Sequence, residues 1–194
     1  SKKLGRLTPD SSLFFLCDIQ TVFQPLIHRM DRVEQTARYL NRAAKILDIP
    51  IVATEHNLKA FGPILPSIKD EIDQTKSKWY HKTKFSMCTD DVKNYLQSVP
   101  DRKSVVLFGI EAHVCVQQTT LDLLDLGYNV HLVADGISSQ RVHDRNVALE
   151  RMRQVGAFVT TSESIIFELL HNANHPKFKE MLPLFKEKKV AEFE

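Results

Sequence analysis

Short apolar, β-branched runs alternate with stretches of helical periodicity along almost the whole chain, and this alternation most constrains the fold. The runs read as strands over Ser12–Cys17, Ile49–Ala53, Ser77–His81, Val105–Gly109, Val130–Ala134 and Phe158–Thr160. The clearest of them, Leu13-Phe14-Phe15-Leu16 and Val105-Val106-Leu107-Phe108, are apolar at consecutive positions. That is the pattern of a strand buried on both faces. Between the first two runs, Val33, Ala37, Leu40, Ala44 and Leu47 recur at the spacing of one helical face, with Asp31 as the cap. Further helices are predicted over Asp90–Gln97, Val116–Leu126 (closed by Gly127) and Val142–Val155 (ending at Gly156), with two more helical segments after the sixth strand. Strands separated by helices through short connections pair in parallel, because each crossover returns through a helix. The expected class is α/β, a three-layer α-β-α arrangement with a six-stranded parallel sheet.

No repeat, low-complexity tract or Gly/Ser-rich linker interrupts this pattern. Residues 1–194 therefore read as one domain, with 1–10 and 187–194 as flexible tails. The longest irregular stretch, His56 to Lys76, holds Gly62, Pro63 and Pro66 and is a candidate binding loop. With 43% hydrophobic and 26% charged residues, the composition is that of a folded globular chain. A net charge of +2 without a Lys/Arg stripe does not point to nucleic acid. The densest basic run, Lys186-Glu187-Lys188-Lys189, is interleaved with acid and reads as a solvated tail. No apolar stretch approaches the about 18 residues that a membrane span needs. Three widely spaced cysteines build no disulfide framework and fit a reducing compartment. The expected location is cytoplasmic. The basic stretch Ser1–Leu7 raises a mitochondrial alternative, and the first residue, Ser1, reads as a sign of trimming.

Open parallel sheets form their sites at the carboxyl ends of the strands. Three reactive side chains fall there: Asp18 after the first strand, Lys82 after the third and Cys115 after the fourth. Cys115 stands where a strand hands over to a helix N-terminus, whose partial positive charge favours the thiolate. A carboxylate can take the thiol proton while an ammonium stabilises the anion, and N–H groups of the Gly109–Cys115 turn can face an oxyanion. Each residue also has a structural reading, Asp18 as a turn former and Lys82 as a surface lysine with Lys84 as a rival. Cys17 reads as core, and Cys88, beside the helix start Thr89-Asp90-Asp91, as partly exposed. His113 lies too close to Cys115 for a papain-like dyad and reads as pocket lining or exposed. Trp79 and Tyr80 are core or pocket wall, and Glu111 and Gln118 are polar pocket candidates.

Four elements then carry a family resemblance. They are Asp18-x-Gln20 followed by Phe23; Lys82-x-x-Phe85-Ser86; Gly109-Ile110 with Cys115-Val116, Thr119 and Asp122; and Gly127-Tyr128-x-Val130 with Asp135. In this order and spacing the chain resembles the isochorismatase-like hydrolase (cysteine hydrolase) superfamily from about residue 10 to 170, and its compact isochorismatase-domain-containing subgroup in particular. The resemblance implies a Rossmann-like sheet and a catalytic set of Asp18, Lys82 and Cys115. It also implies a cis peptide in the Ile110-Glu111-Ala112 turn that aims backbone amides at the substrate oxyanion. Gln20, Phe23, Glu55, His56, Trp79, His113 and Gln118 are the pocket candidates. The implied reaction is hydrolysis of a small amide or imide through a Cys115 thioester, and the implied assembly is a homo-oligomer in which the apolar segment Phe178–Phe185 packs on a partner or covers its own sheet. Nicotinamidase-type relatives hold a divalent metal with an Asp-x-His pair. Here that segment reads Thr54-Glu55-His56, so neither metal nor cofactor is expected. On the residues alone two other readings stay open, an RNA-binding or RNA-hydrolysing protein and a non-catalytic scaffold.

Overall fold

The structure is a computed structural model that describes residues 4–187 and 189–191. Strands β1 (Ser12–Cys17), β2 (Ile51–His56), β3 (Lys78–Lys82), β4 (Ser104–Ile110), β5 (Asn129–Ser138) and β6 (Phe158–Thr160) form one sheet in the order β3-β2-β1-β4-β5-β6. Every pairing is parallel. The α/β class and the six-stranded sheet are as the sequence predicts.

Helices α1 (Met30–Leu47), α2 (Leu58–Phe61), α3 (Pro66–Lys69), α4 (Asp90–Ser98), α5 (Gln117–Asp125), α6 (Val142–Gln154), α7 (Ser162–Leu170) and α8 (Phe178–Phe185) complete the fold. They divide the core in two. Phe14 and Leu16 of β1 and Val106, Phe108 and Ile110 of β4 join residues of α1, α7 and α8. Leu13, Phe15 and Cys17, with Val105 and Leu107, join α4, α5 and α6. Alternate residues of one strand thus feed opposite layers, which is why these strands are apolar at every position.

Several boundaries differ from the sequence reading. Asp31 is not the cap of α1. The helix begins after Arg29, which is left-handed (φ 52°), and Asp31 binds the Arg29 guanidinium in its first turn. The stretch after His56 is not irregular, because α2 and α3 lie in it and Ile64, Leu65, Ile68 and Ile72 are buried in the α1-side core. Strand β5 runs on to Ser138 through a register shift opposite Leu107–Gly109. Helix α8 packs on α1 and α7 of its own chain, with Met181 and Leu184 buried and Phe185 packed against the same core.

The described parts of the expected tails are docked. Leu7 is buried, and its N–H donates to Glu168 of α7 at 3.0 Å. Glu187 pairs with Arg42, Lys189 with Glu163, and the Val190 N–H donates to Gln35 at 2.9 Å. Of the run's described residues, Glu187 and Lys189 thus find partners of opposite charge on α1 and α7, while Lys186 stays exposed. Among the described residues no helix is long and apolar enough to cross a membrane.

Candidate active site

Strand order reverses direction between β1 and β4, the switch point where open sheets leave a crevice. Register sets the strand ends level: Cys17 faces Gly109 on one side and Thr54 on the other, and His56 faces Lys82. Gly109 lets β4 come this close. Its φ is +128°, and a Cβ there would stand 2.1 Å from the Cys17 carbonyl oxygen.

Asp18, the residue after β1, is left-handed (φ 51°) and 2% exposed. Its Oδ1 accepts the Thr54 hydroxyl at 2.8 Å and its Oδ2 accepts Lys82 Nζ at 2.7 Å. Lys82 ends β3 and donates also to the carbonyls of Phe85 (2.8 Å) and Lys84 (3.1 Å). Its Nζ stands 3.8 Å from Cys115 Sγ. Burial alone would pull the ammonium toward losing its proton. Cys17, Asp18 and Cys115 outweigh that and hold its pKa above the ordinary lysine value.

Cys115 sits in a single π-helical turn, Ala112–Val116, inserted between β4 and α5. Such turns recur at functional sites because they displace one residue out of helical phase. The turn follows a cis peptide between Ile110 and Glu111. The N–H groups of Val114 and Val116 both return to the Glu111 carbonyl. Thr119, one helical turn on, donates its hydroxyl to the Cys115 carbonyl at 2.6 Å and accepts the Met87 N–H at 2.8 Å. It so ties the cysteine turn to the loop after Lys82.

The other two cysteines are enclosed. Burial, then a hydrogen bond to Cys115 and the charge of Asp18, keep the Cys17 thiol well above the ordinary range. Cys88, expected to be partly exposed, is 1% exposed, and burial pushes its thiol up to about 11. Its place just before α4 turns it into the layer under α5, not outward.

A cavity of about 160 Å³ opens at Cys115, lined by Asp18, Phe23, His56, Phe61, Phe85, Ile110, Glu111 and Val114. Phe23 and Phe61 meet at 4.9 Å between ring centroids, and His56 stacks near Phe61 and Phe85. Among the sequence candidates, Phe23, His56, Ile110 and Glu111 therefore line the cavity with Asp18 and Cys115. Gln20 and Glu55 stand behind the wall. Gln20 bonds both main-chain groups of His56 and the Gly62 carbonyl, while Glu55 accepts the Ile64 N–H and pairs with His81. Ala112 is core.

Three candidates fall elsewhere. Trp79 lies too deep in β3 and packs on the α1-side core under Lys69. Gln118 is exposed on α5, about 100° round the helix from Thr119. His113 turns to Ser139 (Nδ1 to Oγ 2.9 Å) and lines a separate polar cleft with Gln140, Arg141 and Asp144. Thr54, Phe61, Val114 and Thr119 have site contacts that the sequence reading does not assign. The threonine in Cys-x-x-x-Thr was the available signal for Thr119.

The metal of nicotinamidase-type relatives does not fit these donors. Asp18, His56 and Cys115 offer ligand atoms within 4.8 Å of one another. Lys82 Nζ already stands among them, 2.7 Å from Asp18, 3.4 Å from His56 Nδ1 and 3.8 Å from Cys115 Sγ. Where an aspartate ligand would be, Thr54 instead donates to Asp18.

A switch-point crevice of a parallel sheet that gathers a cysteine, a lysine and an aspartate defines an α/β protein of hydrolase type. The chain belongs to the isochorismatase family: the Isochorismatase domain model matches residues 12–164. It is similar to Isochorismatase domain-containing protein 2 of Xenopus laevis, 46% identical over 96% of this chain and 89% of that protein. It is also similar to a solved structure described as MAR1 ribonuclease from Caenorhabditis elegans, 41% identical with a TM-score of 0.92, covering 96% of this chain and 95% of that one. The YcaC gene product of Escherichia coli, described as an octameric hydrolase of unknown specificity, shares the fold at 20% identity and a TM-score of 0.81, over 95% and 98% of the two chains.

Proposed function

We propose that the protein hydrolyses a small amide or imide through a thioester on Cys115. The observation that carries this reading is that Asp18 and Cys115 line one cavity with Lys82 buried behind them, its Nζ 2.7 Å from the carboxylate and 3.8 Å from the sulfur. Asp18 accepts the Cys115 thiol proton, and the Lys82 ammonium offsets the charge that appears on sulfur. The thiolate adds to the substrate carbonyl carbon, and N–H groups of the turn after the cis peptide face the developing oxyanion. Asp18 returns its proton to the leaving nitrogen as the C–N bond breaks, leaving the thioester. Water then attacks, giving a proton to Asp18; the thiolate departs and takes that proton back. The products are a carboxylic acid and the free amine. Lys82 keeps its proton throughout, which its three strong hydrogen bonds and raised pKa favour.

The cavity wall favours a compact, flat substrate. Phe23, Phe61 and Phe85 supply apolar faces, and the charged side chains lining it are acidic. We also read the chain as a homo-oligomer, which the octameric E. coli relative supports. Light scattering on the purified chain tests this.

The main test is alkylation of Cys115 by iodoacetamide across pH, read by peptide mass spectrometry with Cys17 and Cys88 as internal controls. Fast labelling at Cys115 alone, slowed by Asp18→Asn, supports the reading and leads to amide screening for a trapped thioester. Labelling no faster than at Cys88 in native protein refutes it. A second reading, RNA cleavage, rests on the name of the C. elegans structure. Cleavage that survives Cys115→Ala would favour it.

A further inference from the structure

The two ring nitrogens of His56 are distinguished by what surrounds them. Nδ1 lies 3.4 Å from Lys82 Nζ. A proton on Nδ1 would point at that positive charge, whose own N–H groups face Asp18, Phe85 and Lys84, so Nδ1 carries none. The neutral ring then holds its hydrogen on Nε2. Lys82 is in turn kept protonated by Asp18 and two main-chain carbonyls.

The ring is also fixed in place. The His56 N–H donates to Gln20 Oε1 at 2.8 Å and its carbonyl accepts from Gln20 Nε2 at 3.0 Å. Phe61 and Phe85 stack on it at 5.8 and 5.5 Å, with interplanar angles of 20° and 25°. A His56 nitrogen, a carboxylate oxygen of Asp18 and Cys115 Sγ lie within 4.8 Å of one another, and His56 lines the cavity. Nε2 meets no hydrogen-bond partner among the described residues.

We propose that His56 donates its Nε2–H to the carbonyl oxygen of the bound substrate, as a side-chain partner to the main-chain amides of the cysteine turn. This rests on the cysteine-hydrolase reading above. A neutral imidazole suits the task, since it polarises a carbonyl without surrendering its proton. Threonine at position 54 and lysine at 82 are what free the ring for it, because they leave His56 facing an ammonium. The pocket would therefore select molecules that place a carbonyl oxygen between the Cys115 turn and the His56 edge.

The test needs no knowledge of the natural substrate. Iodoacetamide and 1-iodopropane both alkylate a thiolate, and the first alone carries an amide carbonyl. The ratio of their rates at Cys115, compared between wild type and variant, cancels intrinsic reactivity. His56→Phe keeps the stacked ring without a donor and should lower that ratio about three- to tenfold, the size of one net hydrogen bond. His56→Gln, which restores an N–H near the Nε2 position, should recover most of it.

A ratio unchanged in a His56→Phe protein that melts like the wild type overturns the proposal. So does two-bond ¹H–¹⁵N NMR of the wild type at neutral pH if it finds His56 protonated on Nδ1. Labelling of wild-type Cys115 no faster than Cys88 overturns the hydrolase reading itself. Fast labelling indifferent to both His56 variants overturns the role of His56 alone.

Discussion

Replacing Lys82 by methionine tests the electrostatic centre of the site. The Lys82 side chain is 0% exposed and the Asp18 side chain 3%. Methionine keeps the apolar stem but none of the three donors that reach Asp18, Lys84 and Phe85. Stripping one partner from a buried ion pair costs about 3–5 kcal/mol, because the remaining charge is left unpaired. The two carbonyls recover water through the open cavity and add at most about 1 kcal/mol each, which the extra apolar burial of methionine roughly offsets. The expected loss near neutral pH is therefore about 3–5 kcal/mol, or about 10 °C in melting temperature for a domain of this size. Urea unfolding followed by Trp79 fluorescence measures it. The double variant Asp18→Asn/Lys82→Met removes both charges and should be more stable than Lys82→Met alone. The pH dependence has a definite sign. Because the folded pKa of Lys82 is raised, its stabilisation is complete below the ordinary lysine value and is lost as pH rises through the folded one. The gap between wild type and Lys82→Met should be flat near neutrality and close in alkali. A gap below about 1 kcal/mol with an unchanged denaturant slope, or a double variant whose losses simply add, would refute the buried pair.

Two further outcomes follow from the same geometry. Gly109→Ala should destabilise by about 3 kcal/mol or more, since its Cβ would meet the Cys17 carbonyl oxygen at 2.1 Å and the backbone there is left-handed; a melt that does not move would mean that β1 and β4 do not approach so closely. Burial raises the Cys88 thiol from 9.0 to about 11, so the folded state keeps that proton after the unfolded chain has lost it. Wild type should then lose about 2 kcal/mol more than Cys88→Ala as pH rises from 9 to 11, and parallel pH curves for the two would disprove it.

The strands were legible because burial on both faces leaves unbroken apolar runs, and β1 and β6 fall on the predicted residues. Asp18, Lys82 and Cys115 were legible because parallel strands must end at one edge of the sheet, which brings residues 97 positions apart to one place. The face of a short strand is a weaker signal. Trp79 stands three residues before Lys82 and on the α1 side, so it packs below the crevice instead of lining it. Gln118 failed on helical phase: the π turn shifts the register between Cys115 and α5, and Thr119 takes the inward position. The segment after His56 looked irregular because α2 and α3 are too short to show a period, and Ile64, Leu65 and Ile68 are drawn inward by tertiary contacts. Phe61, beside Gly62, had no pattern to betray it.

Lys82 grips the loop that follows it by main-chain carbonyls, not by side chains. The identity of residue 85 is thereby uncoupled from the anchoring of the loop that bears it, although its ring forms part of the cavity wall. Mutation can redraw that wall while the ammonium, the carboxylate and the thiol stay where they are. The same freedom has one limit, since the Phe85 ring stacks on His56, so an aromatic residue at position 85 redraws the wall with the least disturbance of its neighbour.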